Sequence, residues 1–193
     1  MRDGQTATRI AEAARGILDR EGHSHVTVRR VASAVGITPM AVYRHYPDRQ
    51  GLLSALANAG FAELAARLTA LPLSGDTEIA LTRVLDAYLD FGFKNPRLFE
   101  LMFLQRREGA RQFPKDFRAR KSPTANLFAD VVRRGMDLGY FREDDCWEIT
   151  FEMGALLQGL MILFLGGRVG MSKPQFRRYC QRAFQRYFNG IRK

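Results

Sequence analysis

Cysteine is scarce in this chain of 193 residues: only Cys146 and Cys180 are present, 34 positions apart. That spacing fits neither a zinc ligand pair nor a redox Cys-x-x-Cys, and a redox pair between the two is the lesser alternative. Two buried thiols in a reducing cytoplasm are expected instead. Histidine is nearly as rare, with His23, His25 and His45 all in the front quarter. His23-Ser24-His25 offers two ligands in a loop, short of what a metal centre needs, and reads as exposed loop. Also missing are His-Glu-x-x-His, Gly-x-Gly-x-x-Gly, a P-loop and a nucleophile elbow. The expectation is therefore a protein that is not an enzyme and carries no cofactor. No apolar run reaches the ~18 residues of a membrane span. The longest apolar stretch, residues 153–165, is interrupted by Gly154, Gln158 and Gly159. The polar N-terminus, with Asp3, does not read as a secretory signal.

Phenylalanine is absent from the first sixty positions, and all 14 Phe residues lie at Phe61 or beyond. The front is thus a small aliphatic module and the back a larger aromatic one, with a boundary expected inside the fourth helix: domains 1–58 and 59–193. Strand signals are almost lacking, and the periodicity predicts an all-α fold of about nine helices. Helices are predicted over about 6–20, through two short segments to 46, and over 48–71, 76–95, 98–103, 124–137, 146–165 and 174–191. A polar loop is predicted around residues 106–123. Gly22, Pro72, Pro96, Gly139 and the Gly166-Gly167 pair punctuate these elements.

Residues 27–53 hold the most specific pattern. Val31, Ala32 and Val35 form the apolar stripe of a short helix, and Gly36 suits the positive-φ position at its C-terminus. Ile37 plugs the turn, Thr38 is an N-cap, and Pro39 takes the first helical position. Val42 and Tyr46 return to the core, leaving Pro39, Met40, Ala41, Tyr43 and Arg44 outward. This is a helix-turn-helix whose second helix suits a DNA major groove.

Charge alone would not have pointed there. The net charge is +10, yet residues 1–53 hold eight basic residues against five acidic ones, while residues 171–193 hold seven and none. The last helix sets Arg177, Arg178, Arg182 and Arg186 opposite an aromatic stripe. An alternative reading is therefore a basic amphipathic module for a membrane surface or an acidic protein partner. A solvated basic face over a packed stripe is the simpler account.

The segment resembles the TetR family of one-component bacterial transcriptional regulators. The matching elements are Thr27, Arg30-Val31-Ala32, Val35-Gly36-Ile37, Tyr43-Arg44-His45-Tyr46-Pro47, and Arg49 ahead of Leu52-Leu53. Helix one adds Ile10-Ala11-Glu12-Ala13-Ala14 and Arg20-Glu21-Gly22. Farther on, Asn95-Pro96-Arg97-Leu98-Phe99 before Met102-Phe103 looks like a run in some family C-terminal domains. The resemblance implies a homodimer with a DNA-reading front and a ligand-sensing, dimerising back, which usually represses from a palindromic operator until a small molecule releases it. It places Thr38, Pro39, Met40, Tyr43, Arg44 and His45 on the recognition helix, with Thr27, Arg29 and Arg49 near flanking phosphates. Pro39-Met40-Ala41 departs from the Ser-x-Gly or early polar residue often found there.

Chemistry assigns roles among these residues. Arg44 suits a bidentate guanine contact, and Met40 and Ala41 suit thymine methyls. Tyr43, His45, Thr27 and Arg49 suit phosphates, while Arg29 could also reach a base. For the effector, helix bundles place apolar-lined sites between helices. Phe91, Phe99, Met102, Phe103, Phe128, Met136, Trp147, Phe151 and Leu157 are candidate walls for an apolar or aromatic ligand, with Gln158, Glu152 and Arg106 as polar anchors. The last two helices offer more apolar surface than one bundle layer should leave exposed, which predicts a dimer, and the resemblance places its seam on those two helices.

Overall fold

The computed structural model describes residues 2–107 and 109–193. Ten α-helices occupy it: α1 (Arg2–Glu21), α2 (Val28–Val35), α3 (Pro39–Tyr43), α4 (Arg49–Thr69), α5 (Thr77–Lys94), α6 (Pro96–Phe103), α7 (Lys115–Arg118), α8 (Pro123–Asp137), α9 (Cys146–Leu165) and α10 (Lys173–Ile191). A 3-10 turn, His23–His25, links α1 to α2. Among the described residues there is no strand, only one isolated bridge between Phe141 and Arg192. The all-α expectation holds. The extra helix is α7, one turn within the predicted polar loop. It closes through backbone bonds such as Arg118 N–H to the Pro114 carbonyl, which polar composition does not reveal.

Local chemistry sets most of the helix ends. Asp76 accepts from the Ile79 amide at 2.9 Å and caps α5, and Asp145 accepts from the Trp147 amide at 2.9 Å and caps α9. Gln175 reaches back to the Ser172 amide at 2.9 Å at the start of α10. Each satisfies an amide that the first helical turn leaves without a backbone partner.

The chain divides into two compact units. The first comprises residues up to Phe61 together with Asn95–Ala110. Its core is built from Ile10, Ala14, Ile17 and Leu18 of α1, Val31 and Ala32 of α2, Val42 of α3, and Leu52, Leu53 and Leu56 of α4, all nearly or fully buried. Helix α6 belongs to this unit, which periodicity along the chain does not show. Arg15 of α1 donates to the Asn95 side chain at 2.7 Å, just ahead of α6. Gly60 lets α4 approach Leu98 and Met102 of α6, where an added Cβ would lie 3.0 and 2.6 Å from their side chains. In the structure the units divide after Phe61 in α4, and residues 95–110 belong with the front unit.

The second unit comprises Ala62–Lys94 and Arg111–Lys193. Here α8 packs against α5 and α9, and α10 against α5 and α9. The aromatic stripe of α10 is spent inside it: Phe176, Cys180, Phe184 and Phe188 are at most 1% exposed. Burial pushes the Cys180 thiol up to about 12, so it stays protonated at neutral pH. Gly135 of α8 sits tight against this core, where an added Cβ would lie 2.7 Å from the Phe141 ring and 2.8 Å from the Thr77 methyl. Phe141 and Thr77 are themselves buried, so neither has room to yield. Replacing Gly135 with Val is expected to lower stability by about 1–3 kcal/mol through overpacking, read as a lower urea midpoint at unchanged slope.

Candidate nucleic-acid interface

Two caps and one glycine build the reading motif. Thr27 Oγ1 accepts from the Arg30 amide at 3.3 Å and starts α2. Gly36 ends it in the left-handed region at φ 74°, and the Ile37 amide turns back to the Ala32 carbonyl at 3.0 Å. Thr38 Oγ1 then accepts from the Ala41 amide at 3.3 Å, with Pro39 in the first turn of α3. Val42, fully buried, fixes the inner side of α3. The opposite side faces solvent, with Met40 68% and Tyr43 46% exposed beside exposed Thr38, Pro39 and Arg44.

The helix is shorter than the predicted one. Arg44 is its C-cap, and His45 lies in the turn beyond, its amide donating to the Val42 carbonyl at 3.0 Å. Both therefore sit at the end of α3, not along it. The arginines differ in how they are engaged. Arg30 forms a two-pronged ion pair with Glu21 at 2.7 and 2.9 Å, which also holds the Glu21 carboxyl below its ordinary range. Arg9 donates to the Val35 carbonyl at 2.8 Å, closing the end of α2. Arg49 donates to the carbonyls of Val26 at 2.8 Å and His23 at 2.6 Å. Among the described residues, Arg29 and Arg44 are exposed with no ion-pair partner. None of the three tethers is visible as a motif, because each partner lies nine or more residues away.

Comparison with known proteins agrees with this geometry. Residues 10–56 match the family model "Bacterial regulatory proteins, tetR family", and residues 81–187 match "Tetracyclin repressor-like, C-terminal domain". The chain belongs to the TetR family. It is a DNA-binding transcriptional regulator with a helix-turn-helix. It is similar to an uncharacterised HTH-type transcriptional regulator, YobS, of Bacillus subtilis, at 24% identity over 84% of this chain and 80% of that one. It is 36% identical to the HTH-type transcriptional repressor LfrR of Mycolicibacterium smegmatis over 46% of each chain. It is 30% identical to the nucleoid occlusion factor SlmA of Glaesserella parasuis over 48% of this chain and 47% of that one. The match thus spans less than half of both LfrR and SlmA. In fold, it resembles a TetR-family regulator of Pectobacterium atrosepticum with a TM-score of 0.75 and 17% identity, over 99% of this chain and 96% of the other.

The nine residues of the predicted ligand wall of this TetR-family chain fall in both units. Phe99, Met102 and Phe103 belong to the first unit, where Phe103 packs edge-on against Phe61 at 5.3 Å. Phe91, Phe128, Met136, Trp147, Phe151 and Leu157 belong to the second. Phe91 and Leu157 are fully buried core, Trp147 lies under the Arg120 guanidinium, and Phe151 is 43% exposed and stacked on Phe113 at 4.3 Å. The nine are not one cluster within either unit. Of the suggested anchors, Gln158 lies close to the buried Tyr88 side chain, and Glu152 accepts from the Tyr187 hydroxyl at 2.6 Å. A groove of about 400 Å³ lies elsewhere, at the start of α5, lined by Asp76, Glu78, Ile79, Thr82 and Arg83. Among the described residues, no group of three His, Cys, Asp or Glu is placed to hold a metal.

Removing the α3 cap tests the local architecture. Thr38→Ala is expected to cost about 1 kcal/mol of stability, measured by denaturant unfolding, because the Ala41 amide loses its acceptor.

Proposed function

We propose that this regulator is a repressor that binds a palindromic operator as a homodimer and is released by a small hydrophobic effector. The observation that carries the DNA assignment is the outer face of α3: a capped helix presenting Pro39, Met40, Tyr43 and Arg44, with Arg29 free on α2. Arg44 and Met40 read bases, and Thr27, Tyr43 and His45 approach phosphates.

Support for the dimer comes from α9. It is 20 residues long with mean hydropathy 1.5, and by length and composition could cross a membrane, although its continuous apolar run is shorter. Only 28% of its apolar window is buried. Phe151, Ala155, Gly159 and Leu163 form an exposed strip, two small residues between two large ones, which suits close helix-on-helix packing against a second copy. The α10 contribution differs from the predicted one. Its aromatic stripe is already buried in the protomer, so only the flank of Tyr179, Ala183 and Tyr187 remains for a seam. The same fact weakens the membrane-surface alternative, since such a helix needs a free apolar face. The likeness to a named repressor supports repression, and the two-fold symmetry of a dimer supports a palindrome. A cytoplasmic location follows from the same role. The hydrophobic effector rests on the aromatic content of the back segment.

Selection of duplexes from a random-sequence library, followed by mobility shift, tests the whole assignment. Recovery of inverted repeats is expected, and recovery of no duplex overturns it. Sedimentation should give a dimer at micromolar concentration, and a stable monomer would remove the α9 seam. In the recovered duplex, Arg44→Ala is expected to weaken binding by about 1–3 kcal/mol and relax one base position. A panel of hydrophobic compounds should include one that raises the melting temperature and lowers duplex binding together.

A further inference from the structure

Arg49 opens α4 and sits half-buried, and the Nε–Nη2 edge of its guanidinium is held by two carbonyls, those of Val26 and His23. Those carbonyls belong to the first residue of the 3-10 turn and to its C-cap, and Val26 immediately precedes Thr27, the cap of α2. A cation at the carbonyl end of a helical turn is favourable, and a planar fork holds two acceptors at once in a way an ammonium does not. These two bonds join the start of α4 to the start of α2. The chain between them, residues 27–48, is the whole reading motif, so the clasp closes a loop around it.

We infer that Arg49 is a positioning residue for DNA reading. It acts through Val26 and Thr27, setting α2 at a fixed distance from α4 so that Thr27 and Arg44 meet the duplex together. The inference rests on the DNA assignment of α2 and α3.

The test compares Arg49→Lys and Arg49→Gln with the wild-type chain and with Arg44→Ala, on a duplex the wild-type chain recovers from a random library. Both Arg49 variants are expected to remain folded by circular dichroism and to lose affinity about tenfold, with an unchanged slope of log K against log salt. A slope shallower by about one in the Gln variant, restored in the Lys variant, would make Arg49 a phosphate contact and overturn the inference. Unchanged affinity in folded variants would reduce the clasp to a stability role and overturn it equally. Should neither variant fold, the wild-type arginine Nε–H spectrum decides. The Arg49 resonance is expected to be protected from exchange and unmoved by added duplex, and movement like that of Arg44 is the contrary result. If the wild-type chain recovers no duplex, the DNA assignment fails and this role with it. Nε–H protection then still reports the clasp, so the two failures are distinguishable.

Discussion

A recognition helix of five residues has no stability of its own, because one turn of helix fixes more backbone freedom than its hydrogen bonds return. In this protein α3 exists because its surroundings specify it. Pro39 sets the first dihedral angles, Thr38 holds the Ala41 amide, and Val42 is driven into the core of α1, α2 and α4. Burying a Val side chain contributes about 1.5–3 kcal/mol, more than a cap does, so the inner side of α3 determines where its outer side points. The exposed Met40 and Tyr43 follow from that anchor. They are large apolar groups that the fold leaves in water, an arrangement that makes sense for a face whose partner is another molecule.

Charge works by placement in the same way. The front unit is only modestly basic, and the structure engages several of its arginines internally, among them Arg30 with Glu21, Arg15 with Asp19 and Asn95, Arg9 at the end of α2, and Arg49 at the start of α4. Arg29 and Arg44 remain for an anionic partner. A count of basic residues overstates what this surface can offer a phosphate backbone, and the greater excess in residues 171–193 lies in the other unit. There Arg177 is drawn to Asp86 and Asp90 of α5 and lies near the Phe93 ring, while Arg178, Arg182 and Arg186 face solvent.

What could be read from the sequence was what depends on neighbours along the chain. Gly36, Thr38 and Pro39 act within four residues of themselves, and the structure finds each in its predicted place. The all-helical fold and the inner residues Val31, Ala32 and Val42 follow from a periodicity that a single helix carries. The reading failed where a partner is distant. Nothing near Arg49 indicates that two carbonyls more than twenty residues back occupy it. Nothing around Asn95 indicates Arg15, which helps assign α6 to the front unit. The predicted C-terminus of α3, at residue 46, overruns the observed one by three residues because Arg44 and His45 are chemically acceptable in a helix. The His45 amide instead bonds the Val42 carbonyl in a tighter turn, and Pro47 disfavours helix at Tyr46.

The aromatic back segment shows the same limit in packing. Helical spacing marked Phe176, Cys180, Phe184 and Phe188 as one apolar stripe, and it is one, but periodicity cannot say what covers it. The protomer covers it. That transfers the question of assembly to α9, whose buried side holds Ile149, Met153, Leu157 and Met161 and whose outer side is still apolar. A helix apolar on both sides, with one side already packed, needs a second layer, because domains bury apolar faces in pairs. The small residues Ala155 and Gly159 at the middle of that outer side allow backbones to approach, whereas the glutamates Glu148 and Glu152 sit toward one end. A symmetric partner crossing near Gly159 would cover the apolar middle and leave both carboxylates at the rim, in water, where their charge costs least.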